Sequence, residues 1–246
     1  TPEGAAYYER ISRVLADIDD IEADVTNAQA SPRGRLRVDI GSSLANLILI
    51  PQLPAFHARY PDILLELGVS DRPVHLIGEG VDCVLRGGVL SDPSLVARRV
   101  AQMPYMTCAT PGYLKRHGTP ATPADLLEGH RVVSYFSSRT GRYVPPCYER
   151  GDERFEINGH AVIAVNESTA HLTALLTGLG VAQTFAFMAQ PHVQSGALVE
   201  LLSDWEPPPM AVSVAYPSSR HMSAKLRAFV DWTVEVFAPL GAARRR

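Results

Sequence analysis

Two short stretches, DIGSSLAN at residues 39–46 and AVNESTAH at residues 164–171, share one arrangement. In each, an apolar run gives way to hydroxyl, amide or carboxylate side chains just where a helical pattern begins. A strand that turns directly into a helix leaves backbone N–H groups unpaired and aims the positive end of the helix dipole at the sheet edge. Such an end holds an anion or a polar solute, and open α/β sheets take ligands at that edge. Arg86, directly after the apolar run VDCVL, adds a guanidinium that stays protonated. Singly, each turn reads as an ordinary helix cap and Arg86 as a surface ion pair. Together they favour one crevice that both helix starts face.

Motifs for catalysis are missing. The chain has no GxSxG, no phosphate-binding GxxxxGK[ST] and no HExxH. TGLGVAQ at 177–183 has two glycines of a dinucleotide fingerprint, but they close a helical pattern instead of opening one. The eight histidines are scattered. His171 falls in a helix whose other face is apolar, which suits a surface or hydrogen-bonded histidine better than a base. Cys83, Cys108 and Cys147 are far apart, odd in number and outside any CxxC or Cys/His spacing. No catalytic residue, cofactor or metal ligand set is therefore expected, and unpaired thiols fit a reducing cytoplasm.

The elements that position these residues follow from periodicity. At 246 residues, 46% hydrophobic and 20% charged, the chain has a globular composition. Its net charge of −3 argues against holding nucleic acid through its whole surface. The apolar run LANLILIPQLPAF is broken by prolines and too short to span a bilayer. GRLRVDIG alternates, with Leu36, Val38 and Ile40 on one face. SSLANLILIPQLPAFHARYP follows as a helix that starts at Ser42 or Ser43 and kinks at Pro51. DILLELGV and VDCVLRGG are further strands, separated by the short helix RPVHLIGEG, in the rhythm of a parallel α/β sheet. The later half repeats the grammar. RVVSYF and GHAVIAV are strands, NESTAHLTALLTGLG is a helix capped by Asn166, and VAQTF resumes an extended run. PPPMAVSVAYPSSRHMSAKLRAFVDWTVEVF is a strand and then an amphipathic helix, with Leu226, Phe229, Val230, Val234 and Phe237 on one side. The two units join through AQMPYMTCATPGYL, which suits a hinge strand rather than a tether.

At the front, Tyr7, Ile11, Val14, Ile18, Ile21, Val25 and Ala28 recur in alternating steps of four and three, with no glycine or proline from Ala5 to Ser31. That seam favours pairing with a second helix over lying on its own domain. A first residue of Thr fits a processed export protein or a piece of a longer chain. The C-terminal AARRR reads as a solvated end.

In order along the chain, ASPRGRLRVDIG, LPAFHARYPDILLEL, GVDCVLRGGVLSDPSLVARRV, ATPGYLKRHGTPATPADLLEGHRVV, VNESTAHLTALLTGLGVA and YPSSRHMSAKLRAFVDW resemble the LysR-type transcriptional regulators of bacteria. The resemblance implies an α/β fold: two Rossmann-like subdomains of the type 2 periplasmic-binding-protein fold, joined by two crossing strands and preceded by a long linker helix. It implies a linker coiled coil over residues 1–32, subdomain I over 34–103 plus 211–240, and subdomain II over 104–210. MPYMTCAT and PMAVSVAYP would be the crossing strands. A small-molecule effector would lie between the subdomains, at positions matching Ser42, Ser43, Ser70, Arg86, Thr107, Asn166, Glu167, Ser168, Thr184 and Phe185. Glu167 is an awkward neighbour for a simple carboxylate. The family further implies a homodimer or homotetramer through the linker helix and subdomain I, with residues 44–58 and 63–69 meeting their counterparts. DNA would be bound only by a winged helix-turn-helix preceding Thr1. A periplasmic solute-binding protein of a transport system shares the fold and is the alternative; an enzyme on the same scaffold is a more distant one.

Overall fold

Among the described residues, thirteen strands carry the chain. They are β1 (Gly34–Ile40), β2 (Ile63–Val69), β3 (Cys83–Gly87), β4 (Leu95–Met103), β5 (Tyr105–Ala109), β6 (Val132–Phe136), β7 (Tyr143–Val144), β8 (Cys147–Arg150), β9 (Glu153–Glu156), β10 (Ala161–Val165), β11 (Ala182–Phe185), β12 (Val199–Leu201) and β13 (Met210–Pro217). The computed structural model describes residues 1, 3–4, 7–8, 11, 15, 18, 31–74, 76–88, 92–158, 161–218 and 222–241.

The first sheet has the order β2-β1-β3-β13-β4. β1 runs parallel to both β2 and β3, whereas β13 is antiparallel to β3 and β4. The sheet is therefore mixed, not parallel throughout as the early rhythm suggests. β13 comes from the far end of the chain and enters the sheet from the opposite direction, a pairing that no local pattern encodes. Leu36, Val38 and Ile40 of β1 are buried together, as their alternation requires. On that face the C-terminal helix Ala224–Phe237 supplies Leu226, Phe229, Val230 and Phe237 to the same core, with Val234 packed at its margin. Phe56 closes the cluster, with its ring 4.8 Å from Trp232 and 6.0 Å from Phe229.

The helical run 42–59 is not uniform. A helical turn, Ser42–Leu44, opens into a π-helical segment, Ala45–Leu49, before α-helix resumes at Ile50–Arg59. The irregularity lies just upstream of Pro51, whose ring crowds the preceding turn and whose nitrogen donates nothing. The expected kink at Pro51 thus takes the form of a widened turn.

The rest of the chain up to β12 builds a second body. β5 lies between β11 and β12, antiparallel to both, and β6 lies between β10 and β7. A parallel bridge between Val132 and Val181 joins the two triplets. It is held by the Val133 N–H to the Val181 carbonyl at 2.9 Å and the Val181 N–H to the Arg131 carbonyl at 2.8 Å. β8 and β9 form a hairpin beside them. Only Pro104 separates β4 from β5, so the first crossing between the bodies is short, as AQMPYMTCATPGYL suggests.

Of the seam at the front, Tyr7, Ile11 and Ile18 are helical and exposed. The remainder of the seam, and the C-terminal AARRR, lie outside the described residues. Among the described residues no helix is long and apolar enough to cross a membrane.

The Val132–Val181 junction makes a stability prediction. A Cβ built on Gly180 would sit 2.4 Å from the Arg131 carbonyl oxygen, which is backbone and cannot rotate away. Gly180→Ala should lower the urea unfolding free energy by about 1–3 kcal/mol. Gly112, in the helix Pro111–His117 with nothing within 4 Å of an added Cβ, is the control. There Gly→Ala should raise stability by about 0.4–1 kcal/mol.

Candidate functional site

The two helix starts singled out by the sequence meet. The Ser43 N–H donates to Ser168 Oγ at 3.3 Å, across the gap between the bodies. Between the two starts stands a residue the sequence reading passed over, Asp71, in the loop after β2. Its Oδ1 accepts the Ser42 N–H at 2.7 Å and its Oδ2 accepts the Ser168 N–H at 2.6 Å. One carboxylate thus receives the first free amide of each helix, where charge-assisted bonds are strongest. The Ser138 hydroxyl donates to the Asp71 carbonyl at 3.4 Å. The Tyr135 phenol lies within hydrogen-bonding reach of the Asp71 carboxylate and donates to the Asn166 carbonyl at 3.1 Å. Burial, reinforced by the charges of Asp71 and Glu167, pushes the Tyr135 phenol well up, so it stays a donor.

The cap of the second helix, Ser168–Leu176, is Glu167 and not Asn166. Its carboxylate accepts the Thr169 N–H at 2.9 Å, the Ala170 N–H at 2.7 Å and the Thr169 hydroxyl at 2.6 Å. Asparagine is the commoner cap, but Asn166 lies one residue too early, and Glu167 reaches the same donors. Burial pushes Glu167 up; the Thr169 hydroxyl, the two amides and the Ser42 hydroxyl outweigh it and hold the carboxyl below its ordinary value. This helix start is therefore filled by two carboxylates belonging to the chain itself.

Arg86 is not a free charge awaiting an anion. It lies inside β3 with its side chain 13% exposed, and it ion-pairs with Asp39 of β1. Its other guanidinium hydrogens go to the carbonyls of Ser70 and, at 2.9 Å, Arg72, the residues flanking Asp71. Its Nε is buried without an acceptor among the described residues. Arg86 thus holds the loop that carries Asp71. Burial pushes Asp39 up to about 6, against the pull of Arg86 and with a small push from Glu79.

Below this polar bridge lies a cleft of about 380 Å³. Of the residues expected there, Ser43, Arg86, Ser168, Thr184 and Phe185 line it. Ser42, Ser70, Thr107, Asn166 and Glu167 do not. Ser42 faces Asp71 and Glu167, and the Ser70 hydroxyl accepts the Arg72 N–H at 2.9 Å. Thr107 points away from the cleft to the buried Tyr148 hydroxyl, 3.3 Å off. Residues the sequence reading missed complete the wall: Tyr105 on β5, Gln183 on β11 and Met210 on β13. Tyr105 opens the strand already recognised as a crossing, and that signal could have found it. His171 is buried with Nε2 3.0 Å from the Val133 carbonyl, and burial lowers its pKa. It is a satisfied histidine, as expected. Among the described residues no group of three or more His, Cys, Asp or Glu could hold a metal ion.

A profile of the LysR substrate binding domain matches residues 29–238. The chain belongs to the LysR-type transcriptional regulators. It is 37% identical over 238 residues to an HTH-type transcriptional repressor of Pseudomonas aeruginosa, covering 97% of this chain and 75% of that one. It is 34% identical to the regulator YhjC of Escherichia coli, over 96% of this chain and 79% of that one. Among solved structures it is similar to CrgA, a LysR-type regulator of Neisseria meningitidis, with a TM-score of 0.72 at 27% identity, 96% of this chain and 79% of that one. The fold is also that of full-length AphB of Vibrio cholerae, with a TM-score of 0.72 at 24% identity and the same coverage. The two-lobed periplasmic-binding-protein-like fold and the effector-binding domain of a LysR-type regulator follow. The relatives are transcription regulators and not enzymes, and a transport receptor finds no support among them.

The Arg86–Asp39 pair sets a pH dependence. Asp39 takes up its proton near pH 6 in the folded chain and near 3.8 in the unfolded one, so folding binds a proton between those values. Its contribution is fully present below about pH 4 and is lost as pH rises through 6. The unfolding free energy of the parent minus that of Asp39→Asn should therefore fall across this window, by about 3 kcal/mol at 1.36 kcal/mol per pH unit. Chemical denaturation at a series of pH values measures it.

Proposed function

We propose that the cleft between the two sheets is the effector site, and that a small molecule filling it sets the angle between the lobes. The supporting observation is the meeting of two helix starts above a lined cleft of about 380 Å³. On this reading subdomain I comprises residues 34–103 and 211–240 and subdomain II residues 104–210, with β5 and β13 as the crossing strands. Residues 1–32 form a linker that pairs with a second chain. The pairing carries the lobe angle to a winged helix-turn-helix of the whole regulator, which reads DNA in the cytoplasm.

Exposed apolar side chains support self-association. Leu47 and Ile50 on the first helix and Leu64 and Val69 on β2 are at least 40% exposed, and β2 is an edge strand of the sheet. An apolar edge of this kind is a pairing surface unless covered. Leu64→Asp should lower the average mass in sedimentation equilibrium while leaving the circular dichroism spectrum unchanged. An unaltered mass would remove this surface from the interface.

The effector reading is tested with Cys147→Trp. Cys147 lies at the rim of the cleft and only partly buried, so the indole fills the cleft without displacing core. A metabolite set screened by thermal shift should raise the parent's melting temperature with at least one compound and leave the variant unmoved. Compounds that stabilise both proteins equally would place the effector elsewhere.

A further inference from the structure

We propose that the cleft takes an uncharged aromatic molecule and turns carboxylates away, because Asp71 already occupies the anion position. This rests on the reading of the cleft as the effector site. Both amides that would receive a solute carboxylate are bonded to Asp71, at 2.7 and 2.6 Å, and the next two amides of the second helix are bonded to Glu167. A solute anion would have to displace an intramolecular carboxylate, whose effective concentration far exceeds that of a dissolved metabolite.

The charges facing the bridge point the same way. Asp71 and Glu167 approach it from the loop after β2 and from the second helix, and Asp39 stands behind them. Arg86 is the cation among them, and it is bonded to Asp39 and to two carbonyls. His171, buried against the Val133 carbonyl, has its pKa lowered and adds no positive charge. An anion entering here meets net negative charge. A cation gains less than the net charge suggests, since each Asp71 oxygen already accepts a helix amide and Asp39 is already paired with Arg86.

What remains of the wall suits a flat ring. Tyr105 and Phe185 line the cleft and stack with centroids 4.8 Å apart and planes 14° apart. Phe187, which packs on the core and is not among the lining residues, lies 5.6 Å and 19° from Phe185. Pro208, Met210 and Val212 form the neighbouring surface. Gln183 is held by its side-chain amide to the Cys147 carbonyl at 2.9 Å. Ser43, Ser168 and Tyr135 bring uncharged hydroxyls to the lining near the bridge. A bicyclic aromatic with one neutral polar group fits this pattern and the volume.

The test is calorimetric titration at neutral pH with three probes sharing one ring: 2-naphthamide, 2-naphthoate and 2-naphthylmethylammonium. The parent should bind the amide at least about tenfold more tightly than either ion, a difference of about 1.4 kcal/mol. Asp71→Ala should bind 2-naphthoate at least about tenfold more tightly than the parent does, with the amide changed by less than about threefold. Asp71→Asn keeps the side chain's shape and one acceptor while removing the charge. It should give a smaller gain for the naphthoate, and it carries the test if Asp71→Ala does not fold. Naphthoate or the ammonium binding the parent as tightly as the amide would overturn the assignment of an uncharged ligand and leave the effector site standing. So would naphthoate affinity that ignores Asp71. If none of the three binds the parent or either variant, the inference of an aromatic ligand falls, while the effector reading is decided by the metabolite screen against Cys147→Trp.

Discussion

Two helix starts that face one another are like ends of two dipoles, and they approach only if something negative stands between them. In this chain that something is the Asp71 carboxylate, with one oxygen for each helix. The constraint reaches outward in shells. Asp71 is placed by a loop whose flanking carbonyls, Ser70 and Arg72, are tied to Arg86. Arg86 is in turn anchored by Asp39, a carboxylate that burial alone would neutralise. Gly41 completes the arrangement. A Cβ there would lie 3.3 Å from Asp71 Oδ1, so a side chain at this position would press on the carboxylate and shift it by a few tenths of an ångström.

The elements that carry this bridge were written in periodicities. β1 and the C-terminal helix follow from alternation and from 3.6-residue spacing, and β2 and β3 from short apolar runs bounded by polar or glycine residues. The convergence of the two turns was legible as well: a strand entering a helix leaves free amides whatever its partners are. The partners themselves were not legible. Asp39 alternates out of phase with Leu36, Val38 and Ile40, which marks it as solvent-facing, yet it is buried. β1 is flanked by strands on both sides, and its other face is covered, with Gly68 leaving room for the carboxylate 3.0 Å from its would-be Cβ. No period marks Asp71, because a loop residue has no face to alternate with.

Arg86 shows the limit of reading charge from sequence. It lines the cleft, but its charge is spent on holding a loop. A guanidinium with several donors in a fixed fork can organise three acceptors at once, and the acceptors were distant in sequence. Glu167 shows the same limit from the other side. As a charge near an anion site it looks unfavourable; as a cap bonded to two amides and a hydroxyl it belongs to the helix. Whether an acidic residue opposes or completes a site depends on which donors already face it, and those are tertiary facts.

The bridge also fixes which way a ligand can act. A solute shifts the balance of lobe angles only by binding one angle better than the other. The Asp71 bonds span the two bodies and exist only while they are close, so they already favour the closed arrangement. A ligand that needed those amides would have to break the bonds that close the cleft, and its gain would be offset by their loss. A ligand held instead by the Tyr105–Phe185 stack and the Val212 wall would touch both bodies and leave the bridge intact. On the proposed reading, its contacts would add to the bridge and favour the same closed state.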